Sequence, residues 1–393
     1  MDRIIAKNKI ISNNGWETGL NNNDLVIGAS GAGKSSGYVI PNILHSEESM
    51  IITDTKGILH RLLKGKLEKR GFEVRVLDFV NMEKSCSYNP FDYIERIADG
   101  RYREQDIVSI ADAMIPVRDK YDAFWEEMSK IVLESLIAFA LECLPEKERN
   151  MCSVAELYKV LPDKIGARLF EELEAEAPDS FAVKKYCSYK KVFRAERTWG
   201  NISQQLSNML EMYDFSEAAK LFGGTDSFRI EDLGRKKMVL FINVSDTNRA
   251  FDRLINTFYT QAFRRLCREA DGNPDGKLKV PVRIILDDFA TNVFIPDFDR
   301  LISVIRSRDI SASVILQSIS QLETLYTSSQ AKTILNGCDH MLYLGGQDIK
   351  TAEYISIKAD QPMDRILNMG LDEAILFERG KKPEYVEKIN IYN

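Results

Sequence analysis

The chain has 393 residues, 44% of them hydrophobic and 28% charged, with a formal net charge of −6 and a pI near 5.5. That is the composition of a globular protein with a large core and length for two or three domains, and it excludes a wholly basic nucleic-acid coat protein. Six cysteines (Cys86, Cys143, Cys152, Cys187, Cys267, Cys338) form no C-x-x-C pair, and Cys338 with His340 has no second ligand pair, so reduced core thiols are expected rather than a structural metal site. Met1 to Asn23 has no apolar signal region. The most apolar helical stretch, IVLESLIAFALECL, carries Glu134 and Glu142. It falls short of the ~20 residues of a membrane span, so a soluble chain is expected.

In chain order, DLVIG reads as a strand that breaks at Gly28, with a helix starting near Lys34. SMIITDTKG is a second apolar strand. ILHRLLKGKLEKRG is a helix closed by Gly71, and FEVRVLDF alternates as a strand does. From Arg103 to Asn208 strand signals vanish. DIVSIADAMI, DAFWEEMSKIVLESLIAFALECL, SVAELYKVL and TWGNISQQLSNMLEMY all show helical spacing. Strands return with KMVLFINV, VPVRIILDDF, ISASVILQS and HMLYLGG, with helices over AFDRLINTFYTQAFRRLCREA and DFDRLISVIRSR between them. A hairpin turning at Gly380 closes the chain. This order predicts an α/β fold with a mainly parallel sheet, formed by residues 1–102 and 209–393, into which an all-alpha domain of residues 103–208 is inserted.

Gly28, Ala29, Ser30, Gly31, Ala32, Gly33, Lys34 and Ser35, followed by Ser36, match the phosphate-binding loop G-x-x-x-x-G-K-[ST]. The glycines let successive amides turn toward phosphate oxygens, and the helix N-terminus adds its positive end. Lys34 is expected to reach the β- and γ-phosphates of ATP, and the Ser35 hydroxyl to ligate Mg²⁺. A chance match in a glycine-rich turn is disfavoured by the strand before it and the helix after it.

The strand RIILDDFA delivers Asp287 and Asp288 to its C-terminal end, the edge where open α/β sheets bind ligands. Asp287 is the candidate Mg²⁺ ligand, and Asp288 the candidate for orienting the attacking water. Gln317, at the end of the strand SVILQ, either senses the γ-phosphate or only bonds a loop. Arg306, in RLISVIRSRD, either reaches a neighbouring subunit's nucleotide or lies on a solvated helix face. The segment KKYCSYKKVFRAER sets Lys184, Lys185, Lys190, Lys191 and Arg194 among Tyr186, Tyr189 and Phe193. Cations for phosphates and rings for bases suit a single strand of DNA, whereas a solubilising helix with its rings in the core is the competing reading.

Taken together, GLNNNDLVIGASGAGKSSGYVIPNIL, IITDTKG, SYNPFDYI, DAFWEEM, LDDFA, VILQSISQLETLY and CDHMLYLGG resemble, in order and spacing, the TraG-like coupling proteins of type IV secretion and conjugation systems. The resemblance runs from about Asn8 to Tyr392, and SYNPF and LQS-x-x-QL are its most characteristic parts. It implies a RecA-like P-loop NTPase with an inserted all-alpha domain. It also implies ATP hydrolysis with Mg²⁺ and recruitment of relaxase-bound DNA or secreted protein substrates to a type IV secretion channel. The assembly implied is a homo-oligomer, a hexamer when active and a monomer when dilute. Lys34, Ser35, Asp287, Gln317 and Arg306 take the loop, metal, sensor and finger positions.

Three departures stand out. The family's two N-terminal membrane helices have no counterpart here, so either a soluble paralogue or a chain from which those helices were removed is expected, in the bacterial cytoplasm and recruited to the cytoplasmic face of the inner membrane. Asp288 stands where glutamate is common. Thr55 and Ile58 stand where proline and glutamate are frequent. Two other classes fit the same residues: a soluble DNA pump of the FtsK or HerA kind, and an ATP-binding receptor module that docks protein substrates. Stimulation of hydrolysis by DNA separates these from one another.

Overall fold

The computed structural model describes residues 1–117, 123–223, 226–289 and 293–390, without the side chain of Arg194. Asp122 of DAFWEEM, Ala290 of LDDFA and Tyr392 therefore lie outside the described residues. Contacts group the chain into two compact units. One comprises residues 1–80, 229–249 and 263–393, and the other residues 81–228 and 250–262.

The first unit is built on a sheet of nine strands among the described residues. A short hairpin, β1 (Asp2–Ala6) and β2 (Lys9–Ser12), precedes it and pairs only with itself as a sheet. The large sheet contains β3 (Asp24–Ile27), β4 (Ser49–Thr55), β5 (Glu73–Asp78), β6 (Met238–Val244), β7 (Val282–Leu286), β8 (Ile310–Leu316), β9 (His340–Tyr343), β10 (Glu373–Glu378) and β11 (Glu384–Glu387). Their spatial order is β11-β10-β9-β3-β8-β7-β4-β6-β5. Pairing is parallel from β5 through β9 and antiparallel at β10 and β11.

Strands covered on both faces read as continuous apolar runs, and Leu25, Val26, Ile27, Ile284, Ile285 and Leu286 are all fully buried. On one face, Val26, Ile52, Phe241, Ile285 and Ile315 pack with Leu59, Leu63 and Leu67. Those leucines recur every fourth residue along the helix Ile58–Lys69, as one buried stripe requires. Each strand and helix expected for this unit forms within a few residues of its expected limits. The closing hairpin turns at Gly380, whose φ of 86° is left-handed. The N-terminal hairpin had no sequence expectation, since its two strands hold only nine residues between them.

Order along the sheet sets the site. Ile27 of β3 pairs with Leu316 of β8, and Leu286 of β7 pairs with Val314 of β8. Gly28, Gln317 and Asp287 therefore leave three adjacent strands on the same edge.

The second unit is helical. It contains Glu104–Met114, Phe124–Cys143, Met151–Val160, Lys164–Glu176, Phe181–Tyr189, Glu196–Leu210 and Ser216–Gly223. Phe124–Cys143 is its central helix, buried along Val132, Leu133, Leu136, Ile137 and Leu141 and packed on Phe181–Tyr189. Among the described residues no helix is long and apolar enough to cross a membrane. Of the expected core thiols, Cys86 and Cys338 are buried but Cys143 is exposed, because it sits in the last turn of its helix.

Candidate functional site

The strand β3 ends directly in the loop. Gly31 and Gly33 have φ of 79° and 94°, conformations a side chain would strain, and they fold the chain back between strand and helix. The loop is pinned from both neighbouring strands: Gly28 N–H donates to Leu316 O at 3.1 Å, and Ala29 N–H to Gly345 O at 3.0 Å. A π-helical turn, Ser35–Val39, follows and passes into the helix Ile40–His45. Pro41 lies near the junction, where its missing N–H costs little. The first amides of such a helix lack intrahelical acceptors, which suits them to phosphate oxygens.

Lys34 is almost buried, and its Nζ donates to Gly28 O at 2.8 Å and Ala29 O at 3.1 Å. Burial pulls its pKa down, against the opposing charges of Asp288 and Asp287. Ser35 Oγ donates to Asp287 Oδ2 at 3.1 Å. The Asp288 amide donates to Asp287 Oδ1 at 3.1 Å, and Gln317 Nε2 donates to Asp288 Oδ1 at 3.3 Å. Lys34, Ser35, Asp287, Asp288 and Gln317 thus form one cluster drawn from β3, β7 and β8.

The electrostatics of the cluster are unbalanced. Burial, and then the charge of Asp288, push the Asp287 carboxyl up to about 6, although the Ser35 hydrogen bond and Lys34 oppose the rise. Among the described residues no arginine bonds or pairs with Lys34, Asp287, Asp288 or Gln317. Such a site is short of positive charge, and a cation next to Asp287 would relieve it. Asp288 has a φ of 49°, a left-handed conformation that short polar residues tolerate best. This gives a backbone reason for aspartate at a position where glutamate had been the family expectation.

Two features escaped the sequence. Gln321 Nε2 donates to Gln317 Oε1 at 3.3 Å and orients that amide from the next helical turn, while its own buried Oε1 has no partner among the described residues. The spacing in LQS-x-x-QL held this signal. Asp54, in IITDTKG, caps the helix Ile58–Lys69 by accepting from the Leu59 and His60 amides at 3.0 and 2.7 Å.

Arg306 is not part of the cluster. It precedes β8, at the opposite sheet edge from Gln317, and its Nη2 donates to Gly15 O at 3.3 Å. In the helical unit, Lys184 and Lys191 are exposed, and Lys190 lies 3.5 Å from Glu174. The Arg194 side chain lies outside the described residues. The pairing of rings with bases is corrected: Tyr186 stacks on Phe170 at 4.3 Å, and Tyr189 is fully buried, donating or accepting at Ser135 Oγ. These rings fill the core, packed on each other and on Phe170 and Phe193, with Phe139 behind Phe170. Lys185 is held by the buried Glu134 at 2.5 Å, which leaves it poorly placed to meet a phosphate.

A parallel sheet with a phosphate loop on one strand and paired acids two strands away defines a RecA-like P-loop fold. A family model described as "Type IV secretory system Conjugative DNA transfer" matches residues 2–359, and the chain belongs to that family. The conjugal transfer protein TraG of Escherichia coli is 24% identical over 83% of this chain and 53% of its own length. Protein VirD4 of Rhizobium radiobacter is 21% identical over 90% of this chain and 50% of its own. The chain thus spans about half the length of the curated relatives it matches. Its fold is that of the plasmid coupling protein TrwB, solved in complex with ADP and Mg²⁺, with a TM-score of 0.70 at 19% identity, covering 94% of this chain and 85% of TrwB.

Proposed function

We propose that the chain is an ATP-hydrolysing coupling protein. It recruits DNA, as a relaxase-bound single strand, or protein substrates to a type IV secretion or conjugation channel. The observation that carries the reading is the convergence of Lys34, Ser35, Asp287, Asp288 and Gln317 at one sheet edge. Membership of the conjugative DNA-transfer family supports the cargo, and the nucleotide bound by TrwB supports the cofactor.

The donor set fits Mg²⁺: a hydroxyl and a carboxylate oxygen stand 3.1 Å apart, and the carboxylate lacks compensating charge. When bound, the metal neutralises charge on the phosphates of ATP. Ser35 and Asp287 hold it. Gly28 to Ser36 cradle the phosphates, with Lys34 swinging from its carbonyl partners to the β- and γ-oxygens. Asp288 orients the attacking water, and Gln317, bonded to Asp288, reports on the phosphate. Arg306 serves the nucleotide of a neighbouring copy, since it lies at the far ends of the strands from its own loop.

In this reading residues 1–102 and 209–393 are the motor and 103–208 the inserted all-alpha domain, which offers Lys184, Lys190, Lys191 and Arg194 to DNA. The active form is a hexamer at the cytoplasmic face of the inner membrane. The test is Lys34→Ala. It should lower turnover by at least ~10³-fold without shifting the unfolding midpoint, because it removes the cation facing the transferred phosphoryl group. Turnover within tenfold of wild type would overturn the assignment.

A further inference from the structure

The strand β9 ends beside the phosphate loop, and residues 344–348 that follow it touch two parts of the site. On one side they meet the loop. Leu344 N–H donates to Ile27 O at 2.7 Å, and Ala29 N–H donates to Gly345 O at 3.0 Å. A side chain on Gly28 would stand 2.9 Å from Leu344 Cβ, so the two segments are pressed together there. On the other side Asp348 meets the residues just after Gln317. Its Oδ2 accepts from Ser320 Oγ at 3.0 Å, and from the Thr351 amide and hydroxyl at 2.9 and 2.6 Å. Thr351 Oγ1 in turn accepts from the Ile319 amide at 2.9 Å.

The bond from the Thr351 amide is enough to cap the helix Ile349–Ala359, as an aspartate at that position commonly does. The bonds that run through Ser320 Oγ and the Thr351 hydroxyl add nothing to that cap. They reach a different helix, Ile319–Leu325, which begins two residues after Gln317. Burial works against the Asp348 carboxylate, but hydrogen bonds from Thr351 and Ser320 outweigh it and hold its carboxyl below the ordinary value. A charged acceptor makes such bonds stronger than neutral ones. Two residues separate Asp348 from Gly345, so the grip on the phosphate loop and the grip on the residues after Gln317 belong to one short segment.

We propose that Asp348 is a positioning residue: by tying Ile319 and Ser320 to the segment that holds Ala29, it sets Gln317 in place relative to the phosphate loop. The inference rests on reading residues 28–36 as the ATP site and Gln317 as the group that senses the γ-phosphate. Among the described residues Asp348 makes no hydrogen bond to Lys34, Asp287, Asp288 or Gln317, so its effect on turnover passes through Gln317.

The experiment measures ATP turnover, with kcat and KM separated, together with ADP binding. Asp348→Ala should lower kcat about tenfold and leave KM and ADP affinity within about threefold, because the groups that grip the nucleotide remain and only the alignment of Gln317 is lost. Asp348→Asn keeps an oxygen acceptor at the cap and should bring kcat back to within about threefold of wild type. Ser320→Ala leaves the cap of Ile349–Ala359 intact and should lower kcat about threefold with no change in unfolding midpoint. Gln317→Ala should slow turnover at least as much as Asp348→Ala. Adding Asp348→Ala to it should slow turnover no further, since nothing is left to align. Effects that multiply in the double variant would overturn the proposal, as would a kcat within about twofold of wild type in both Asp348→Ala and Ser320→Ala. A wild type no faster than Lys34→Ala would overturn the ATPase reading and this inference with it. Gln317→Ala turning over like wild type would do the same through the sensor.

Discussion

The strands β3 and β7 carry charge at both ends, and the two ends hold it differently. At their N-terminal ends, Asp24 and Arg283 are buried to within 2%. Arg3 Nε lies 2.9 Å from Asp24, Arg283 Nε 2.8 Å from Glu48, and Tyr38 donates to Asp24 at 2.6 Å. Burial works against the Asp24 carboxylate, but Arg3, Arg283 and His340 outweigh it and hold its carboxyl below the ordinary value. At the C-terminal ends, Asp287 is nearly as buried, yet its carboxyl is pushed up to about 6. The difference lies in partners, not depth. One edge is neutralised within the chain and fastens the N-terminal hairpin to the sheet. The other is left short of a cation, which the Mg²⁺ proposed for the site would supply.

The strongest way to break this comparison is at the compensated edge. Asp24→Ala would leave Arg3 and Arg283 with a missing counter-charge in a site that excludes water. A loss of about 3–5 kcal/mol in unfolding free energy is expected by urea denaturation. A loss below about 1 kcal/mol would mean that water or Glu48 replaces the carboxylate, and the contrast between the edges would fail.

The unequal legibility of the edges in the sequence follows from the same geometry. The phosphate loop and the paired acids are local patterns, so Lys34, Ser35, Asp287 and Asp288 could be read from spacing. The opposite edge joins Arg3, Asp24, Arg283 and His340, residues that only the folded sheet brings together. Each looks like an ordinary surface residue in its own segment. The rings at Tyr186 and Tyr189 misled for a related reason. Cations beside aromatics suggest a nucleic-acid face, but the helical period turns these rings inward and leaves Lys184 outside, with Lys191 exposed just beyond the helix.

At the uncompensated edge, a chemical effect should appear without a structural one. Asp288→Asn keeps a side chain that tolerates a φ of 49° and keeps an acceptor for Gln317. It removes the charge proposed to orient and polarise the attacking water. Turnover should fall by ~10²-fold, about 2.7 kcal/mol in barrier, with nucleotide affinity within about threefold. Equal turnover would move the water-orienting role to Gln317 or elsewhere.

The smallest effect sharpens the comparison most, because its sign is opposite at the two edges. The Asp287 pKa is raised from its ordinary 3.8 to about 6. Below pH 3.8 the carboxyl is protonated whether the chain is folded or not, and the site costs nothing. Between those values the folded chain holds the proton more tightly, so stability falls as pH rises and the cost is complete above pH 6. Asp287→Asn, which keeps the shape and removes the charge, should therefore stabilise the nucleotide-free chain by roughly 1–3 kcal/mol at pH 8 and by nothing measurable at pH 4. Asp24→Asn should destabilise it at pH 8, because there the charge is compensated. Mg²⁺ with ATP should erase the advantage of Asp287→Asn, since the wild-type carboxylate then gains the cation it lacks and the amide does not. Thermal unfolding at both pH values, with and without Mg²⁺ and ATP, gives the four comparisons. An Asp287→Asn variant less stable than wild type at pH 8 without ligand would show that the carboxylate is already compensated.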